Sequence, residues 1–196
     1  TPSIATEQCK EMAYKMAELC KVSYEKAMNL IGNYDEKIFK EIVEEESLVD
    51  VYEDVLGSYL VKLASRALNG KDSREISKLL LCINDFERIS DHATNIVKAS
   101  KEMNDKGIVF SGDAKKELDI MSRAVADVLN LTVEAFINND LEKAHKVEPL
   151  EEVIDGLKTR LKSRHVKRLR DGECTIELGF VFADFITNFE RVSDHC

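Results

Sequence analysis

A charged heptapeptide occurs twice in this chain. Phe86-Glu87-Arg88-Ile89-Ser90-Asp91-His92 returns 103 residues later as Phe189-Glu190-Arg191-Val192-Ser193-Asp194-His195. Six of the seven positions are identical, and the seventh exchanges one β-branched aliphatic for another. In a chain of 196 residues this makes an internal duplication the strongest constraint on the fold, because each half must build the same unit. Each copy also carries Glu-x-x-x-Asp, two carboxylates one helical turn apart. Unpartnered like charges at that spacing repel on a helix by roughly 0.2–0.5 kcal/mol.

Around the repeats, apolar residues keep to helical spacing and no β-type alternation competes. The pattern predicts a first helix from Ser3 to about Ile31 and a second, capped by Asp35, running to Leu68. Asn69-Gly70 ends the second, and Asp72 or Ser73 caps a third. Residues 104–112, with two glycines, read as the connection between halves. A fourth helix spans roughly Asp113 to Asn138. A fifth runs unbroken from Asn139-Asp140 to about Arg170, and a sixth starts at Thr175. The fold class is therefore all-α, two tandem antiparallel three-helix bundles, with repeats over residues 1–106 and 113–196. Pro149, inside the fifth helix, should bend its axis. Gly57, Gly156 and Gly179 fall inside helices, which points to close helix–helix approach at each.

The duplication exposes a second acidic pair. Glu46…Asp50 on helix two matches Glu151…Asp155 on helix five, 105 residues later. Each half thus holds two Glu-x-x-x-Asp elements on helices that a short turn makes adjacent. Ile42 and Phe39 precede Glu46 on one helical face, Ile83 and Leu80 precede Glu87, Val147 and Ala144 precede Glu151, and Ile186 and Ala183 precede Glu190. All four glutamates prolong an apolar stripe. Four carboxylates in one seam need compensation, since like charges 4 Å apart at an effective dielectric near 20 cost about 4 kcal/mol per contact. Basic neighbours, Arg88 and Arg191, are one answer, and the pairs are then ordinary ion pairs on charged helices. A hard cation is the other: Mg²⁺, Ca²⁺, Mn²⁺ or iron suits an oxygen-rich site. His92 and His195 directly follow the aspartates and are candidates to support the ligands, or to serve as a borderline ligand.

Composition excludes several classes. The net charge of −9, without any Lys/Arg-rich run, argues against nucleic acid. The five cysteines, Cys9, Cys20, Cys82, Cys174 and Cys196, include no CxxC and read as reduced thiols. With no apolar run of 18 residues the chain does not itself insert into a membrane. It opens on Thr-Pro, which suggests a piece of something longer. The sixth helix stops at Cys196 about two turns sooner than its counterpart, which continues to Lys98. No nucleophile triad or Gly-rich phosphate loop is present. A carboxylate-bridged di-iron enzyme takes Glu-x-x-His from two helices, a pair the chain does not supply. A helical interaction module without metal remains an alternative.

These residues resemble the PhoU family, whose two three-helix repeats each carry Glu/Asp-x-x-x-Asp motifs. Residues 88–96, Arg-Ile-Ser-Asp-His-Ala-Thr-Asn-Ile, are similar to the family's Arg-Ile-Gly-Asp-His-Ala-x-Asn-Ile, with serine where glycine is common. The opening Thr1-Pro2-Ser3-Ile4-Ala5 and the run Arg164-His165-x-x-Arg168-Leu169-x-x-Gly172-Glu173-Cys174 look like PhoU-like domains fused to sodium/phosphate cotransporter-type proteins. The resemblance implies metal clusters, iron or zinc, held by Glu46, Asp50, Glu87 and Asp91 in the first half. Glu151, Asp155, Glu190 and Asp194 hold the second, which the early stop at Cys196 would weaken. It also implies a non-catalytic role in controlling phosphate uptake. The expected setting is the cytosolic tail of a sodium-dependent phosphate transporter at the bacterial inner membrane, with a free-standing PhoU-type regulator as the alternative. A homodimer is left open.

Overall fold

Five helices among the described residues start where a short polar side chain takes up a free backbone N–H group: Asp35, Asn69, Ser111, Asp140 and Thr175. The computed structural model describes residues 2–66 and 69–196. Six long helices and one single-turn helix follow in order: α1 (Pro2–Leu30), α2 (Glu36–Ala64), α3 (Gly70–Lys106), α4 (Gly112–Asn138), α5 (Leu141–Ala144), α6 (Val147–Arg170) and α7 (Ile176–Asp194). Asp35 caps α2 by accepting from the Lys37 and Ile38 N–H groups at 2.8 and 3.2 Å, and Thr175 caps α7 through Leu178. Both caps were predicted. The cap of α3 was not: Asn69 accepts from the N–H of Asp72 at 2.8 Å. Asp72 therefore lies in the first turn, where the Asn69 amide and the Ser3 hydroxyl donate to its carboxylate. The predicted end of the second helix at Leu68 lies outside the described residues, as does Thr1.

The predicted fifth helix is two helices. The chain turns at His145-Lys146, and Pro149 is the third residue of α6. In a first turn the N–H that proline lacks has no partner within the helix anyway, so Pro149 starts a helix here and does not bend one. Gly107 ends α3 in the left-handed region at φ 64°, donating its N–H to Asn104. A side chain there would be strained.

α1, α2 and α3 pack mutually, as do α4, α6 and α7, and the halves join through α3 on α7 and α1 on α4. The core runs through both units without a break. Tyr24, fully buried on α1, donates its hydroxyl to the Ser122 carbonyl of α4 at 2.8 Å. Glu117 of α4, also buried, is held by Arg164 and Arg168 of α6 at 2.6 and 2.7 Å. Of the three helix-interior glycines only Gly179 marks a close approach. A Cβ there would lie 3.0 Å from His165 Nε2 and 3.2 Å from Leu169, whereas Gly57 would make ordinary contacts and Gly156 faces open space. Gly179→Ala should therefore cost a net 1–2 kcal/mol or about that. In a thermal melt this is a midpoint roughly 3–6 °C lower. An unchanged or higher midpoint would show that α6 and α7 have room to spare.

Candidate metal centre

Three of the four duplicated carboxylates of each unit meet where its second and third long helices, α2 with α3 and α6 with α7, pack together. In the first half Glu46 and Asp50 of α2 and Asp91 of α3 each bring a carboxylate oxygen within 4.8 Å of the others. Glu87 stands one turn before Asp91 and joins this group electrostatically. Burial first, then the charge of Asp91 and a hydrogen bond with it, push the Glu87 carboxyl up to about 7, against the pull of Arg88. Burial and the neighbouring aspartates also raise Glu46 and Asp50. The nearby cations do little to offset this. Arg88 is more than half exposed and 3.8 Å from both Glu87 and Asp91, and Lys98 reaches Glu46 only at longer range. The first half is a carboxylate cluster with unspent negative charge.

The second half keeps three of its four expected members together. Glu151 and Asp155 of α6 and Asp194 of α7 place oxygens within 4.8 Å of one another. Burial raises both Glu151 and Asp194, and neighbouring carboxylates add to it. Glu190 departs from its duplicate Glu87. It is 8% exposed, and Lys158 of α6 forms an ion pair with it. The register that aligns Glu46 with Glu151 sets Lys158 against Glu53, so the first half has a carboxylate where the second has an ammonium. Lys158 was missed from sequence, although that alignment of the halves contains the signal.

The histidines face each other and not the clusters. His92 and His195 stack across the α3–α7 seam with ring centres 5.8 Å apart. His92 Nδ1 lies 3.2 Å from the Asn188 amide oxygen and His195 Nδ1 3.0 Å from the Asp85 carboxylate, positions that the duplication relates. Burial lowers the His92 pKa. Neither histidine joins a candidate group: among the described residues both groups consist of carboxylates alone, and each histidine makes its Nδ1 contact across the α3–α7 seam. A residue one step further round α3 or α7 from the aspartate points into the seam with the other half. The one Glu-x-x-His spacing in the chain, Glu142 to His145, falls on the single-turn α5 and its C-cap.

A two-unit helical bundle with paired carboxylates in each unit defines a recognisable class. The family model for the PhoU domain matches residues 13–100 and 118–196, and the chain belongs to the PhoU family. Among curated relatives, the phosphate-specific transport system accessory protein PhoU homolog 1 of Thermotoga maritima is 26% identical over 183 residues, 92% of this chain and 78% of its own. The PhoU homolog of Clostridium acetobutylicum is 20% identical across 96% of this chain and 85% of its own. The crystal structure of PhoU from Pseudomonas aeruginosa superposes over the whole chain and 93% of its own, at a TM-score of 0.92 and 19% identity. That of the phosphate transport system regulatory protein PhoU from Streptococcus pneumoniae covers the whole chain and 91% of its own, with a TM-score of 0.86 and 17% identity. Among the described residues no helix is long and apolar enough to cross a membrane.

Proposed function

We propose that this chain is a PhoU-type accessory protein that regulates phosphate transport, and that its first half binds a hard cation. The family is regulatory and not one of enzymes. The relatives' names favour an accessory protein of a phosphate-specific transport system over the tail of a sodium-coupled transporter. In this reading the chain works from the cytoplasm against a membrane-embedded transport complex. One observation carries the cation: Glu46, Asp50, Glu87 and Asp91 share a seam that pushes the Glu87 carboxyl up to about 7, with only the more than half-exposed Arg88, 3.8 Å away, as counter-charge. Burying carboxylates without compensation is costly, and a cation removes the cost. An oxygen-only donor set fits Mg²⁺, Mn²⁺, Ca²⁺ or iron, and fits zinc less well because no nitrogen or sulfur joins it. Glu151, Asp155 and Asp194 offer the second half a smaller set of the same kind.

Both parts are open to one experiment. In a bacterium deprived of its own PhoU homologue, this chain should restore phosphate-dependent control of uptake, measured with radiolabelled phosphate. A Glu46→Gln, Asp50→Asn variant should fold, lose stoichiometric metal on elemental analysis and lose that control. Uptake left uncontrolled by the wild-type chain would overturn the regulatory reading. Control retained by a metal-free variant would separate the cation from the function.

A further inference from the structure

Helix α2 carries two apolar stripes, and the fold uses one. Ile42, Val49, Leu56, Leu60 and Leu63 are buried against α1 and α3. Leu48, Val51, Val55 and Tyr59 are 47%, 58%, 53% and 47% exposed. Their spacing of three, four and four residues keeps them within a band about 80° wide on the helix surface. Among the described residues α2 packs on no helix other than α1 and α3, so within them this second stripe is unpartnered.

The duplication supplies an internal control. In the register that aligns Glu46 with Glu151, the four stripe positions fall on Val153, Gly156, Arg160 and Arg164 of α6. The three-helix unit therefore folds without an apolar stripe on that face. Its presence on α2 answers to something outside the unit. Single exposed aliphatic residues are ordinary on a protein surface, but a continuous stripe at heptad-like spacing is how one helix presents itself to another.

Charge narrows the occupant. From Glu41 to Val61, α2 has seven acidic residues and no lysine or arginine. Exposed Glu44 extends the line of the stripe toward the N-terminus and exposed Asp54 borders it beside Val55, while Glu41, further along the line, is paired with Lys26 of α1 at 3.3 Å. An acidic rim is repelled by an anionic membrane surface. A second α2 laid on the first would oppose like charges. The matching α6 face of a second copy has arginines but only Val153 to meet four apolar side chains. What remains is a foreign helix with apolar residues at the same spacing, flanked by lysine or arginine.

We propose that the outer face of α2, through Leu48, Val51, Val55 and Tyr59, docks a cationic amphipathic helix of a partner protein. This is independent of the cation reading, since the stripe and the carboxylate cluster lie on different faces of α2. The test uses a fluorescent synthetic helix of about 21 residues, three heptads with leucine at the seam positions and lysine at the flanking ones. Fluorescence anisotropy should show binding that weakens as salt rises. A version with glutamate for lysine should bind at least about tenfold more weakly. A Val51→Ser, Val55→Ser variant should lose binding by at least about tenfold, while Val166→Ser on α6 leaves it unchanged. Circular dichroism confirms that each variant is folded, and Val55→Lys provides a second disruption of the same face. No binding of the lysine peptide, or binding indifferent to the α2 substitutions, overturns the proposal. Self-association of the wild type that the same substitutions abolish overturns it too, because the stripe then belongs to a second copy.

Discussion

Replacing Glu87 with glutamine is expected to raise the melting temperature of the metal-free protein at pH 8 and to abolish most of its stabilisation by added cation. The sign follows from the direction of the Glu87 shift. Its carboxyl titrates near 7 in the folded protein against an ordinary value of 4.5, so between those limits the native state holds a proton that the unfolded chain has released. The contribution of Glu87 to stability is greatest below about 4.5, falls as pH climbs toward 7, and is flat beyond. Because about a quarter of the side chain is exposed and Arg88 is near, the whole decline is discounted to something on the order of 2 kcal/mol. Glutamine keeps the shape and the hydrogen-bonding capacity without the charge, so the variant should lack that decline.

Cation binding acts in the opposite sense. At about 100 times its dissociation constant, a cation bound only by the folded state adds about 2.7 kcal/mol, roughly 5–11 °C for a chain of this size. The wild type should show this rise with Mn²⁺ or Mg²⁺ and lose it on chelation. The glutamine variant should start higher and rise little. Differential scanning calorimetry from pH 5 to pH 8, with and without metal, separates the two. Identical pH slopes for both proteins would remove the charge from Glu87, and equal metal responses would remove Glu87 from the site.

How far such a site can be read from sequence depends on which helix supplies each residue. Glu46 was legible because it prolongs an apolar stripe, Asp50 and Asp91 because each stands one turn after such a glutamate, and the duplication fixed which helices face each other. The Asn69 cap was not, since Asn69-Gly70 reads equally as a stop or as a start, and Asp72 offered a plausible side chain two residues further on. Pro149 carried the same ambiguity: a proline bends a helix or opens one, and periodicity running through Ala144 and Val147 conceals the turn between them. The histidine stack depends on the crossing of α3 and α7, which no local pattern encodes. The outer stripe of α2 was hidden for another reason. Leu48 and Val55 sit beside Val49 and Leu56, and a helix with two apolar faces is read as one broad face.

Lys158 is where a repeated motif says least about its own environment, and its removal should have the largest effect. Phe189-Glu190-Arg191 repeats Phe86-Glu87-Arg88, yet Glu190 is paired with Lys158 while Glu87 is left among carboxylates. Lys158→Met keeps the apolar stem and deletes the charge, leaving a carboxylate that is 8% exposed without its partner. Breaking a buried pair from one side costs about 3–5 kcal/mol, here reduced to roughly 3 because Lys158 is itself about a quarter exposed. The melting temperature at pH 7 should fall by some 6–12 °C, or about that range. Lys158→Met, Glu190→Gln should recover most of the loss, because no orphan charge remains. The single variant should also respond to metal more strongly than the wild type does. With the ammonium gone, Glu190 can join Glu151, Asp155 and Asp194, and the second half then has the charge of the first. A Lys158→Met protein that Mn²⁺ stabilises more than it does the wild type, beside a double variant that it stabilises no more than the wild type, would identify Lys158 as the built-in cation of the second cluster. A loss of stability below about 1 kcal/mol, or a metal response no greater than that of the wild type in both variants, would mean that the pair is only a surface contact.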